Sequence, residues 1–194
     1  MARTTSIMLA GVGGQGTILA SRVLAQLLLN EGHDVKMSEV HGMAQRGGSV
    51  TTHVRYGKDV DAPTIAPGQA DFMLVFETME AARVAHYLKP GGTIVANERE
   101  ISSLPILIAR EEYPDDIPER LERRGIDVRW ADAYSIADNL GNIRVENVAL
   151  LGAFSTVLPF AEDAWKKALT QVIPERHLKI NTAAFDKGRQ LGKK

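Results

Sequence analysis

Two short stretches hold most of the residues that could do chemistry. The first is GVGGQGT, Gly11 to Thr17, in which Gly11, Gly13 and Gly16 keep the G-x-G-x-x-G spacing between an apolar run and a helical pattern. Glycines let a backbone turn tightly and approach a ligand closely. Free N–H groups at the helix start then face that ligand, in positive dipole potential, a setting suited to a phosphate or another anion. Gln15 adds an amide donor and acceptor at the crest, a more polar feature than a bare pyrophosphate cradle needs. The second stretch, SEVHGMAQRGGSV from Ser38 to Val50, crowds Glu39, His41, Gln45 and Arg46 between Gly42 and the pair Gly47-Gly48. Glu39 stands where a Rossmann enzyme puts its ribose-binding acid. Arg46 offers a fork for phosphate or carboxylate, and His41 an acid–base or pH-sensitive hydrogen-bonding group.

Spacing alone leaves several readings of these residues. The glycines could serve only a tight strand-to-helix turn, or a free-standing NAD or FAD site with Glu39 on the ribose. The second stretch could be a polar network that shapes its own loop, or part of a subunit interface, where Arg and Met are enriched. One Glu and one His two residues apart are too few ligands for a metal site. His33, His53, His86 and His177 stand alone and read as structural or surface groups. There is no nucleophile elbow and no Walker motif.

The elements that position these stretches alternate between strand and helix. TSIMLAG is a short, almost wholly apolar run, as expected of a central strand covered on both faces. In TILASRVLAQLLLNEG the apolar residues recur at helical spacing, with Gly32 as a C-cap. DVKMSEV reads as a second strand. SVTTHVRYG alternates like a half-exposed third strand, with Val50, Thr52 and Val54 on one side, and the short connection before it suits an antiparallel run. ADFMLVFE is a further buried strand. TMEAARVAHYLKPGG reads as a helix stopped by Pro90 and two glycines, followed by the strand TIVANE. Pro105, Pro114 and Pro118 break up the segment from Ile101 to Arg124. GIDVRWADA gives one more strand, AYSIADNLG a short helix, and from Asn147 the chain is helical up to a frayed GKK. The pattern predicts a three-layer α/β/α fold with a mostly parallel, mixed sheet and a helical C-terminal region. No linker divides residues 1–194, so a single domain is expected.

Composition narrows the classes of function. The chain has 194 residues, 44% hydrophobic and 24% charged, with a formal net charge of -1. The near-neutral balance argues against a nucleic-acid binder. No run approaches a membrane span, and the N-terminal apolar run enters a glycine loop where a signal peptide would have a cleavage site; a cytoplasmic protein with no membrane partner is expected. The chain has no cysteine, which excludes disulfides, thiolate zinc sites, cysteine nucleophiles and cysteine-ligated iron–sulfur clusters within it.

Taken together, GVGGQGTILASRVLA and SEVHGMAQRGGSVTTHVRYG resemble the gamma subunit or gamma domain of 2-oxoacid:ferredoxin oxidoreductases. The length and the HGMAQRGGSV wording look most like beta subunits of the indolepyruvate branch, and ENVALLGAF from Glu146 is similar to the family's later Asn-containing helix start. The resemblance covers nearly the whole chain. It implies a subunit of an enzyme, inactive alone, that works with a larger alpha subunit. That partner would carry thiamine diphosphate, Mg2+ and [4Fe-4S] clusters, with ferredoxin as electron acceptor. The substrate would be a 2-oxoacid such as an arylpyruvate, and coenzyme A the co-substrate. This chain would bind no cofactor alone, and the missing cysteines agree with that division. Gly11, Gly13, Gly14, Gln15, Gly16 and Thr17, with Glu39, His41, Gly42, Gln45, Arg46, Gly47 and Gly48, would then form a polar surface facing coenzyme A, the substrate or the catalytic subunit. A purely structural assembly subunit is the remaining alternative.

Overall fold

Thr5–Val12 (β1) is apolar on both faces because both are covered. Ile7 and Leu9 point into one buried cluster and Met8 and Ala10 into another, as the two-residue period of a strand requires. The protein is described from a computed structural model over residues 4–42, 48–102, 104–108 and 111–193. Beside β1 lie β2 (Asp34–His41), β3 (Ser49–Gly57), β4 (Ala70–Val75), β5 (Leu88–Asn97) and β6 (Val128–Ala131), in the order β2-β3-β1-β4-β5-β6. β3 runs antiparallel to both neighbours, whereas β1, β4, β5 and β6 pair in parallel.

Helices cover the two faces unequally. On one lie α1 (Thr17–Asn30), α5 (Ala133–Asn139), α6 (Glu146–Phe154), α7 (Glu162–Val172) and α8 (Glu175–Gly192). On the other lie α2 (Thr78–Val84) and α4 (Ile117–Arg123), and a single turn, α3 (Leu104–Leu107), belongs to the connection between β5 and α4. This is the expected α/β/α arrangement with its helical C-terminal region. Gly32 ends α1 as expected: it takes φ +80°, and the N–H groups of Gly32 and His33 donate to Leu29 and Leu28, the paired bonds of a Schellman motif. α6 is buried all round and crosses α8 at backbone contact. A Cβ on Gly188 would collide with the Ala149 carbonyl oxygen, and one on Gly152 with that of Phe185.

Four expectations need correction. The helix after β4 ends at Val84, passes through a 3-10 turn and gives way to β5 already at Leu88, so Pro90, Gly91 and Gly92 lie inside a strand. They are accommodated by a break in register, Leu88 pairing with Ala70 and Thr93 with Phe72, because a bulge relieves the need for the proline's missing donor. β3 is not half-exposed. It lies between β2 and β1, and Thr52, His53 and Val54 are all buried. The irregular segment from Ile101 to Arg124 contains α3 and α4. The end of the chain is helical through Gly192, whose carbonyl accepts from the Thr156 hydroxyl at 3.0 Å.

Candidate functional site

The glycine loop leaves β1 at the carboxyl edge of the sheet, and much of its polar capacity is spent within the protein. Gln15 Oε1 accepts from the Val12 N–H at 2.7 Å, and its Nε2 donates to the Phe76 carbonyl just past β4, also at 2.7 Å. The Gln15 amide therefore fills the crevice between β1 and β4, where open sheets of this kind usually admit ligands. Gly11 is needed because a Cβ there would press on Gln15, Phe76 and Thr17 at 3.0 Å each. Gly16 caps α1 at φ +78°, and its carbonyl accepts from Asn147 Nδ2 at 3.1 Å. A side chain at Gly16 would collide with that Asn147 amide. Asn147 is buried at the start of α6, so a residue far along the chain fixes the loop's shape. The N–H groups of Gly14, Gly16, Thr17 and Ile18 find no partner among the described residues. They are the donors left for an anion.

The two motif stretches meet. The Gly13 N–H donates to the Gly48 carbonyl at 2.8 Å. A cavity of about 450 Å³ is lined by Gly13, Gly14, Gly16, Thr17 and Ile18 on one side and Glu39, His41 and Val50 on the other. Glu39 reaches it differently from the acid of a dinucleotide enzyme, since β3 stands between β1 and β2 and sets Glu39 about 10 Å from the β1 axis, two strand spacings away. His41 is exposed, its Nδ1 3.1 Å from the Gly42 carbonyl oxygen. Among the described residues, nothing lies within 4 Å of where a Gly42 Cβ would stand. Gln45, Arg46 and Gly47 lie outside the described residues.

Local patterns did not mark a second polar assembly at the same edge. Buried Glu77 caps α2 and accepts from the N–H groups of Glu80 and Ile101 and from the Tyr113 hydroxyl at 2.9, 3.1 and 2.5 Å. Tyr113 also accepts from the Met79 N–H at 2.9 Å. Burial first, then Glu77, pushes the Tyr113 hydroxyl well above the usual phenol range. Next along the edge, Asn97 donates to Glu146 Oε1 at 2.7 Å and accepts from the Ala133 N–H at 3.1 Å. Burial raises the Glu146 carboxyl, and Asp132 adds to this, against the Asn97 bond and Arg99. Arg99 lies 4.0 Å over the Tyr134 ring. Glu146 and Asn147 thus tie the ends of β5 and β1 together. Only long-range contacts reveal this.

No group of three or more His, Cys, Asp or Glu side chains among the described residues is placed to hold a metal ion, and no described helix is long and apolar enough to cross a membrane.

Comparison with known proteins decides the family. The pyruvate ferredoxin/flavodoxin oxidoreductase family model matches residues 6–191. The chain belongs to that family. Its similarity to indolepyruvate oxidoreductase subunit IorB of Thermococcus kodakarensis is 36% identity over 193 residues, 97% of this chain and 96% of that one. Two solved structures share the fold. The gamma subunit of a keto/oxoacid ferredoxin oxidoreductase from Geobacter sulfurreducens aligns with TM-score 0.72 at 21% identity, covering 97% and 98% of the two chains. A 2-oxoglutarate:ferredoxin oxidoreductase from Magnetococcus marinus, with 2-oxoglutarate, coenzyme A and succinyl-CoA bound, aligns with TM-score 0.73 at 23% identity. It covers 98% of this chain but 31% of its own. In this member of the oxidoreductase family, the glycine cavity and the Glu77–Asn97–Glu146 assembly occupy one edge of the sheet.

Proposed function

We propose that this chain is the cluster-free subunit of a cytoplasmic 2-oxoacid:ferredoxin oxidoreductase acting on an arylpyruvate such as indolepyruvate. The observation that carries the reading is the similarity to an indolepyruvate oxidoreductase subunit over 97% of this chain and 96% of that one. In the proposed reaction the 2-oxoacid loses its carboxyl group as carbon dioxide, its acyl group passes to coenzyme A, and the electron pair released goes to ferredoxin. Thiamine diphosphate with Mg2+ supplies the decarboxylation and [4Fe-4S] clusters the electron path, all on the larger alpha subunit; protein supplies binding and orientation. The chain's own donor set supports that placement, since it has no cysteine for a cluster.

This chain's part is to present the glycine cavity. Its helix-start N–H groups favour a phosphate. The Glu39 side repels phosphate and accepts from hydroxyl or amide donors, and coenzyme A carries both kinds of group. Presence of that co-substrate in a structure of the same fold supports the reading. Arg46 is proposed to serve the same surface. Arg46→Ala is expected to lower turnover of the assembled enzyme with the heteromer intact. Loss of assembly while the isolated chain stays folded would make the loop an interface device instead. Calorimetry of the isolated chain with NAD, NADP and FAD is expected to show no binding, and a micromolar dinucleotide site would overturn the subunit reading.

A further inference from the structure

The two edges of the sheet are not alike. β6 is four residues long, and a short edge strand is a usual protection against further pairing. β2 is eight residues, DVKMSEVH, with neither proline nor glycine, and it pairs with β3 over its whole length without a register shift. Its outer row of backbone N–H and C=O groups faces no strand among the described residues. Its one cation, Lys36, is turned to Asp34 at 2.6 Å, which weakens it as a charge guarding the edge.

The side chains point the same way. Met37 is 40% exposed and Val40 56% exposed, and strand alternation puts them on opposite faces of the sheet. Apolar residues open on both faces are the pattern of an interior strand. A helix laid on one face would cover Met37 or Val40, not both. Extending the sheet covers both and satisfies the outer backbone groups as well.

A second copy of this chain fits poorly as that extension. A two-fold antiparallel pairing keeps each face of the sheet on its own side, so residues directly opposite are an even number of positions apart. Centred on Lys36 or Glu39, it sets that charge against its own copy. Centred on Met37 or Ser38, it leaves Glu39 opposite Val35 or Met37, with Lys36 opposite Ser38 or Val40. Centred on Val35 or Val40, it sets Lys36 against Asp34 or Glu39 against His41, but the two strands then overlap over only three β2 residues and Met37 stays uncovered. No such register pairs Lys36 with Glu39. A different chain can place apolar residues beside Met37 and Val40 and a cation beside Glu39.

We propose that the free edge of β2 takes up an extended strand of the catalytic partner subunit, which continues the sheet. The proposal rests on the subunit reading above. Because Glu39 and His41 at the end of β2 also line the glycine cavity, the added strand would stand along that cavity's outer wall.

Hydrogen exchange tests this on the full chain, alone and in complex with the alpha subunit. The β2 amides that point away from β3 are expected to exchange roughly tenfold or more slowly in the complex, as newly bonded strand amides do. A complex with unchanged β2 exchange overturns this inference alone. Concentration-dependent protection in the isolated chain means that a second copy is the occupant and also overturns it. Absence of any complex overturns the subunit reading, and this inference with it. In a second arm, Met37→Lys with Val40→Lys should leave the isolated chain's melting temperature within a few degrees but weaken assembly at least tenfold. Unchanged assembly would contradict the proposal.

Discussion

Replacing Gly16 by alanine tests whether Asn147 sets the shape of the glycine loop. Gly16 takes φ +78°, and a Cβ there would run into the Asn147 amide. A left-handed non-glycine residue costs about 1–2 kcal/mol. Pushing the buried Asn147 amide off the Gly16 carbonyl adds about 1–3 kcal/mol for a buried donor left without its partner. The sum is about 2–5 kcal/mol, or roughly 5–15 °C in melting temperature for a chain of this size. Thermal melts of Gly16→Ala, Asn147→Ala and the double variant separate the two parts. In the Asn147→Ala background the amide collision is removed, leaving the backbone penalty and a 3.3 Å contact with the remaining Cβ, so a coupling of about 1–3 kcal/mol is expected. Gly14→Ala is the control: it also has positive φ, +109°, but nothing among the described residues stands within 4 Å of its missing side chain, so it should cost the same with and without Asn147. If Gly16→Ala costs the same in both backgrounds, Asn147 does not hold the loop.

Two further outcomes follow from the packing and the buried titratable groups. Gly188→Ala should force α8 off the Ala149 carbonyl and cost about 1–3 kcal/mol or more, as overpacking does, measurable by denaturant unfolding. His53 Nδ1 accepts the Ile65 N–H at 3.0 Å, and burial holds its pKa below the usual 6.5. A depressed folded-state value gives stability that is present above pH 6.5 and lost as the pH falls through the lowered value. His53→Gln, which keeps an acceptor but cannot be protonated, should therefore show a smaller drop in unfolding midpoint between neutral and acid pH; an equal drop would assign the acid sensitivity elsewhere.

The parts of the fold legible in the sequence are those with a local signature. The apolar run of β1, its glycine turn and the periodic α1 are one uninterrupted pattern, and the brevity of the β2–β3 connection forces the antiparallel strand. Convergence of Glu39, His41 and the glycines was legible too, because strand ends and the loop share the sheet's carboxyl edge. Pro90-Gly91-Gly92 misled, since a proline reads as a stop unless a bulge is known to absorb it. The Gln15–Phe76 and Asn147–Gly16 bonds span 61 and 131 residues, so no local pattern could show that Gln15 faces inward. Glu77 and Tyr113 were hidden for the same reason: each looks like an ordinary surface residue until the strands bring them together.

The claim that this chain works only as part of a larger oxidoreductase is tested most directly by reconstitution. Reduction of ferredoxin or a viologen dye, dependent on an arylpyruvate and coenzyme A, is measured for this chain, for the proposed alpha subunit, and for their mixture. Turnover should appear on mixing and saturate at a fixed ratio of the two chains. Full activity of the alpha subunit alone, or dinucleotide-dependent turnover by this chain alone, would contradict it.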